Sequence, residues 1–558
     1  MSTIDKNPKT HDSTSIQMKE TTNKTITIEE AIDRAVDKVT FKLVLMLTAV
    51  SSTILNTASG TYLTVFTGQI PYNEWKCSSP KCFDLKDKAG PSNDFYSYET
   101  MCENDLVAGA DFEWTSKRSS FSTEWGFYCK TESKLSLMSS VLFLGTFIGL
   151  LCSSGLFERI GRKRGAMVGS FLCLISVAAS AVAPNYTVLF VLRILYGFGL
   201  SVTNMGSYCW IAELVPNKLR NPVGCLFTLS GWTTGYLALI GISYYVHKWQ
   251  YVYASVAIMD AVAIIPFFLP FLPESPKYTL MKGKEEEAKK TLERLARLCN
   301  NKISFARTGL AYEKRDQSYR GQIRDFKIHP TMLKETLLGM SIWFMVALVS
   351  YSYQFGWSKI GKDLYSIYCF ASLGEAISFI VYWPCCKWLG RRKATMFFFM
   401  LIIAMNALAM FNIKFTEVWS LEHVASMIGS IGAGAAFTMI YLYTGELAPT
   451  SHRGMILCLS SCSARIGSFI GPNVNLLYGI TDRRVPLGLF AGLSFLACLA
   501  VFFLPDTTDR SVPETPFDVE ELSRRRGKEG EDLGKEKREK DHEACLVVSN
   551  NAECQEHC

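Results

Sequence analysis

The sequence predicts an all-α polytopic membrane protein of twelve transmembrane helices, arranged as two pseudo-symmetric six-helix halves. Apolar runs of near membrane-spanning length recur along the 558 residues, with charges gathered between them. The basic residues concentrate in alternate loops. Three short polar signatures also occur twice, at almost constant spacing. Glu213-Leu214-Val215-Pro216 with Arg220 returns in the second half of the chain as Glu446-Leu447-Ala448-Pro449 with Arg453. Gly161-Arg162-Lys163-Arg164 returns as Gly390-Arg391-Arg392-Lys393, and Leu272-Pro273-Glu274-Ser275 returns as Leu504-Pro505-Asp506-Thr507. A membrane chain built of two parallel repeats is the mark of one large transporter class.

Six apolar runs precede the midpoint: Phe41 to Phe66, Leu135 to Phe157, Ala166 to Ala183, Val188 to Leu214, Val223 to Val246 and Trp249 to Leu272. Six follow it: Thr336 to Tyr353, Leu364 to Cys385, Ala394 to Phe411, Trp419 to Tyr443, Gly454 to Leu477 and Pro486 to Leu504. This divides the chain into an N-terminal segment 1–40, a first half 41–276, a central loop 277–334, a second half 335–505 and a tail 506–558. The positive-inside rule places Arg159, Arg162, Lys163, Arg164, Lys218, Arg220, Arg391, Arg392, Lys393 and Arg453 in the cytoplasm. With an even number of spans, both termini are expected there too. The polar start of the chain carries no apolar stretch that reads as a cleaved signal peptide.

Three insertions interrupt the bundle. The loop 67–134 falls outside by the charge argument, and its aromatic content predicts a small folded cap. It carries Cys77, Cys82, Cys102 and Cys129, which in an oxidising compartment suggest two disulfides with three possible pairings. In the central loop, Glu285-Glu286-Glu287 followed by Lys289, Lys290, Leu292, Leu295 and Leu298 predicts a short amphipathic helix along the inner face. The tail, with its charge runs, is expected to be disordered. The net charge of +7 follows the loops and is no sign of nucleic-acid binding. No phosphate-gripping GxxxxGK[ST] motif and no hydrolase signature occurs, so no nucleotide, no cofactor, no resident metal and no enzymatic activity are expected. The expected partners are the lipid bilayer, small organic ions and a possible co- or counter-transported ion.

Charges inside the bilayer cost about 2.5–3.5 kcal/mol and ask for a reason. Arg465 follows Arg453 by just over three turns, which at about 1.5 Å per residue places it about 18 Å up its helix, near the midplane. It needs an anion there: a substrate, or a fixed partner such as Glu375 or Asp260. The offset that carries Glu213 to Glu446 also carries Trp232 to Arg465, so one half sets a cation and the other an aromatic ring at equal depth. Tyr208 and Tyr441 match in the same way. Matched helices of such halves face a central cavity. Tyr236, Tyr244, Tyr351, Tyr353, Phe437 and Asn204 are further candidates for lining it, each of which packing alone would also explain. Asn56 sits deep in the first span, placed either to touch substrate or to bond a neighbouring helix. Arg193 and Glu213 are expected to fix helix geometry or form gating salt bridges.

Ser154-Gly155-Leu156-Phe157-Glu158-Arg159-Ile160-Gly161-Arg162-Lys163 resembles the loop between the second and third helices of the major facilitator superfamily, with Glu158 in place of the usual aspartate. Phe121-Ser122-Thr123-Glu124-Trp125, Pro273-Glu274-Ser275-Pro276-Lys277, Tyr443-Thr444-Gly445-Glu446-Leu447-Ala448-Pro449-Thr450 and the cysteine-bearing first loop together resemble the organic ion transporters of the solute carrier 22 family, from about Phe41 to Thr515. The resemblance implies the major facilitator fold, alternating access, and conformational roles for Glu158, Arg162, Glu213, Arg220, Arg391, Glu446 and Arg453. Ala464-Arg465-Ile466-Gly467-Ser468 resembles the organic anion and carnitine branches, where an arginine faces the cavity. Glu375 matches an acidic residue used by cation carriers. The resemblance therefore implies a plasma-membrane secondary transporter of organic anions or zwitterions. An organic cation carrier and a non-transporting receptor or scaffold of the same fold are the alternatives.

Overall fold

A computed structural model describes residues 25–69, 75–77, 95–96, 112–114, 118–127, 131–220, 223–224, 229–269, 272–301, 303–306, 308–311, 324–360, 364–411, 421–482, 484–508 and 513–521. Among the described residues, twelve long helices carry the fold. In the first half they are α1 (Phe41–Thr67), α2 (Ser133–Ile160), α3 (Arg162–Ser180), α4 (Tyr186–Leu214), α5 and α6 (Trp249–Phe268). Helix α5 begins as a π-helical turn, Leu229–Thr233, and continues as Thr234–Tyr245. The second half holds α7 (Pro330–Ile360), α8 (Leu364–Leu389), α9 (Arg391–Ala409), α10 (Leu421–Leu447), α11 (Arg453–Val474) and α12 (Arg484–Phe502). Ten of the twelve are long and apolar enough to cross a membrane. The other two, α3 and α5, complete the alternation of direction.

The sequence repeat is a repeat of packing. A Cβ added at Gly145 of α2 would lie 2.1 Å from the Ile194 carbonyl oxygen of α4, and one at Gly374 of α8 would lie 2.2 Å from that of Met427 in α10. Gly145 and Gly374 are related by the same offset as Gly161 and Gly390. In the same manner Gly235 lets α5 approach Leu55 of α1, and Gly467 lets α11 approach Phe344 of α7, with added Cβ atoms 1.9 and 2.4 Å from the carbonyl oxygens. Small residues draw membrane helices together because lipid supplies no hydrophobic drive between them.

Loop 67–134 joins α1 to α2 on one face of the bundle, here the loop face. Its described part contains an antiparallel sheet, with Trp75–Cys77 flanked by Phe95–Tyr96 and Phe112–Trp114, and a capped turn of helix at Phe121–Glu124. Trp249 anchors that turn by donating through Nε1 to Glu124 Oε2 at 2.6 Å. This is the expected cap. Cys82, Cys102 and Cys129 lie outside the described residues, as does the side chain of Cys77, so the disulfides remain an expectation.

The opposite face, here the terminal face, is more ordered than the sequence predicts. Ile26–Thr27 pairs in parallel with Leu310–Ala311, and a helix Ile28–Ala35 follows, N-capped by Thr27. The amphipathic helix of the central loop is present as Glu285–Leu298, burying Ala288, Leu292, Leu295 and Ala296. Glu29 ties the N-terminal helix to Lys277 at 2.8 Å and Arg220 at 3.9 Å. On the second half, His452 Nε2 lies 2.9 Å from Asp325 Oδ2, and His329 Nδ1 lies 3.1 Å from Glu520 Oε1. The tail is thus folded at its start, contrary to the expected disorder: residues 513–521 pack on the second half, with Val519 buried beside Ala448 and Ile456. Asp518 accepts from the Glu514 and Thr515 backbone N–H groups, each at 2.9 Å, which holds its carboxyl below the usual range.

The hydrophobic core shows where the two halves meet. Toward the loop face one continuous cluster unites them, with Tyr62, Phe66, Leu142 and Tyr236 packed with Phe355, Tyr368 and Ile367. Toward the terminal face the core divides. Trp210, Ile211, Leu214 and Phe267 belong to one cluster, and Trp343, Tyr443, Leu447 and Phe398 to another. The molecule is closed on the loop face and parted on the terminal face.

Candidate functional site

The closed part has a floor of aromatic rings from both halves. Tyr62 of α1 stacks on Tyr236 of α5 with centroids 4.4 Å apart, meets Trp232 edge-on at 6.2 Å, and meets Phe355 of α7 at 5.7 Å. Phe143 of α2 packs on Tyr351 of α7 at 4.5 Å. Above this floor, Phe66 contacts Tyr365 and Tyr368. At the rim, the Arg118 guanidinium lies 4.6 Å from the Tyr365 ring centroid, donates to the Tyr365 hydroxyl and donates to the Tyr244 carbonyl at 3.3 Å. Asn473 of α11 donates to Ser140 of α2 at 2.8 Å. These contacts form a gate on the loop face.

Glu375 sits at the centre of the floor, 4% exposed. Trp232 Nε1 reaches across from the other half and donates to Oε2 at 2.8 Å, and Gln354 Nε2 donates to Oε1. Tyr62, Tyr236 and Tyr351 all lie within electrostatic reach of the carboxylate. The hydroxyls of Tyr62 and Tyr236 are buried without a hydrogen-bond partner. A buried acid that accepts two hydrogen bonds and is ringed by π faces is a chemically plain receptor for an organic cation.

Arg465 stands on α11, half-buried, with its Nε enclosed and unpartnered. Its guanidinium lies within electrostatic reach of Tyr351, which also feels Glu375 and Tyr441. Among the described residues no carboxylate forms a salt bridge with Arg465, so neither Glu375 nor Asp260 is its fixed partner. Asp260 is buried in the first half instead, beside Tyr196 and Cys173. Tyr351 thus stands between a basic and an acidic group that face one cavity.

The other sequence candidates divide. Tyr208 and Tyr441 are both exposed, at 47% and 40%. Tyr441 is held edge-on to Trp343 at 4.2 Å, with Phe437 beside it at 5.7 Å. Asn204 is half-buried one turn from Tyr208. Asn56 is fully buried at mid-depth with both amide atoms unpartnered, while its carbonyl accepts from Tyr196 at 3.3 Å. Trp232 faces the acid rather than the arginine to which the repeat matched it. Tyr244 is a correction: it sits at the loop-face rim, edge-on to Tyr365 at 5.5 Å, and belongs to the gate. Tyr353 is another, turned away from the cavity to donate to the Ala425 carbonyl over Gly429. Arg193 holds helices, donating to Gly60 O at 3.0 Å. Gln354, Tyr62, Phe355 and Phe143 escaped the sequence reading, because nothing in an apolar run marks which side faces the other half.

The repeated loops form the same machine twice. Arg162 pairs with Glu213 at 3.2 Å, and Arg391 with Glu446 at 3.0 Å. Ser275 donates to Glu213, and its repeat mate Thr507 donates to Glu446 at 2.8 Å. The loops turn at Gly161 and Gly390, whose φ values of 101° and 77° suit only glycine. An acid caps the following helix in the first half, where Glu274 Oε1 accepts from the Arg162 and Lys163 backbone at 3.1 and 2.9 Å. In the second half Thr508 Oγ1, itself bonded to Asp506, accepts from Arg391 N at 3.0 Å. Arg220 and Arg453 brace this loop by donating to the Ala212 and Ala448 carbonyls at 3.1 and 3.4 Å. Glu158 departs from its expected role: it is exposed and makes no ion pair among the described residues, because Glu274 takes the place beside Arg162.

Comparison with known proteins agrees with this geometry. The family model for sugar (and other) transporters matches residues 94–360 and 344–512. An organic cation/carnitine transporter 4 of Arabidopsis thaliana is 26% identical over 83% of this chain and 85% of its own. An organic anion transporter 3 of Pongo abelii is 27% identical over 74% of this chain and 76% of its own, and a solute carrier family 22 member 2 of Rattus norvegicus is 28% identical over 74% and 73%. Among solved structures, an inward open conformation of the xylose transporter XylE from E. coli superposes with a TM-score of 0.57 at 13% identity, covering 86% of this chain and all of that one. The chain has the major facilitator fold, its curated relatives include members of solute carrier family 22, and it belongs to the sugar (and other) transporter family of membrane transporters.

Proposed function

We propose that this chain is a plasma-membrane secondary transporter of small organic zwitterions and carboxylates, working by alternating access. The observation that carries the reading is Arg465: a cavity-facing guanidinium with no carboxylate partner among the described residues, one tyrosine away from a buried acid. A substrate with a carboxylate at Arg465 and a cationic or aromatic body against Glu375, Trp232 and Tyr62 satisfies both groups at once. The carnitine and organic anion relatives support the same class. The basic loops on the terminal face support its being cytoplasmic, with both chain ends there, so that the parted state opens inward.

The test is uptake by cells expressing the chain, with a trimethylammonium carboxylate, a simple aryl carboxylate and a quaternary ammonium ion offered in parallel. Arg465→Ala is expected to abolish uptake of both carboxylates. Normal carboxylate uptake by that variant makes the arginine structural. A second reading, transport of organic cations, is favoured by the Glu375 aromatic box, and uptake of the quaternary ion alone by wild type establishes it. No uptake of any of the three supports a receptor or scaffold.

A further inference from the structure

On α11 the residues Asn473, Phe469, Arg465, Cys462 and Cys458 follow one another at three- or four-residue spacing and form a single stripe. The opposite side of the helix packs on α7 through Gly467, Gly471 and Ser463. Leu459, Ile466 and Ile470 form the adjoining exposed apolar face, as a lipid-facing surface does. The upper stripe is sealed against the other half, where Asn473 bonds Ser140 and Phe469 packs on the shared core. Below Arg465 the seal ends. Cys458 is exposed and Cys462 half-buried, on the wall where the halves have parted. The two thiols lie four residues apart on this stripe, with Cys462 about one turn below Arg465.

We propose that Cys458 and Cys462 form a dithiol site for monosubstituted trivalent arsenicals, R–As(OH)2, entered from the terminal face, and that occupancy holds the transporter in its parted state. Residues four apart on a helix have Cβ atoms about 5–6 Å apart, within reach of one bridging atom. Each Sγ forms a bond to arsenic and each As–OH bond breaks. The two thiol protons leave with the two hydroxides as water, and arsenic stays trivalent, so no oxidant is needed. An acidic R group is drawn to Arg465, one turn above. A bridged pair adds bulk on the face that must meet α2 when the terminal side closes.

The experiment uses the full-length protein with 4-carboxyphenylarsonous acid and phenylarsonous acid as probes, and reads intact mass. Wild type is expected to keep one more adduct than either Cys458→Ser or Cys462→Ser after a monothiol wash, and to lose it to 2,3-dimercaptopropanol. Chelation makes that adduct about 100-fold harder to displace than a one-thiol adduct. Inside-out vesicles should label faster than right-side-out ones, and Arg465→Gln should remove the preference for the acidic probe while leaving the adduct. Equal adduct counts in wild type and both serine variants overturn the site. An unchanged uptake rate in vesicles carrying the adduct overturns the trapping. Because mass is read independently of transport, failure here is distinct from failure of the substrate assignment.

Discussion

Trp232 Nε1 donates to Glu375 Oε2 at 2.8 Å, and this one bond joins α5 of the first half to α8 of the second at mid-depth. The same carboxylate lies within electrostatic reach of Tyr62 and Tyr236 of the first half and Tyr351 of the second. Under the proposed function, a substrate that takes the carboxylate competes with this Trp232 contact between the halves.

Glu375→Gln keeps the side chain's shape and removes its charge. A hydrogen bond to a charged group is worth about 1.5–3 kcal/mol. We expect KM for a zwitterion with a quaternary nitrogen to rise about tenfold to a hundredfold, with KM for a plain aryl carboxylate little changed. Equal effects on both substrates identify Glu375 as a strut only.

The paired ion pairs predict a charge-swap rescue. Arg391 and Glu446 are 25% and 18% exposed, so solvent screening limits the pair to about 1 kcal/mol of stability. Arg391→Glu is expected to slow transport more than it lowers the unfolding temperature, and adding Glu446→Arg should restore part of the rate. A double variant no faster than the single shows that position, not pairing, matters. Arg162 and Glu213 should behave alike.

Arg118 holds the loop-face gate through Tyr365 and Tyr244. A cation–π contact contributes about 0.5–2 kcal/mol. In a Phe66→Cys background, Arg118→Ala should raise the rate at which an impermeant thiol reagent reacts from the loop face by about threefold to tenfold. An unchanged rate removes Arg118 from the gate.

Gly145→Ala sets a methyl group 2.1 Å from the Ile194 carbonyl oxygen. Overpacking costs about 1–3 kcal/mol, and the midpoint of thermal unfolding in detergent should fall accordingly. Gly241→Ala, where an added Cβ meets nothing within 4 Å, is the matched control and should leave the midpoint unchanged.

The two-half helical architecture was legible in the chain. The near-constant offset between the paired loop signatures marked the two halves. Charges at membrane ends are costly to misplace and so leave marks in the chain. The fixed helix rise gave the expectation that Arg465 lies near mid-depth. Which groups meet depends on how the helices pack. Packing separated Arg465 from Glu375, gave that acid to Trp232 and Gln354, sent Tyr244 to the gate and Tyr353 into packing, and left Glu158 without an ion pair among the described residues. In an apolar helix every side chain suits lipid equally well, so the face turned toward the opposite half follows from long-range packing and has no periodic signature. The folded start of the tail has the same cause: Val519 and Glu520 gain their partners, Ile456 and His329, from segments that are distant in sequence and adjacent only in the assembled bundle.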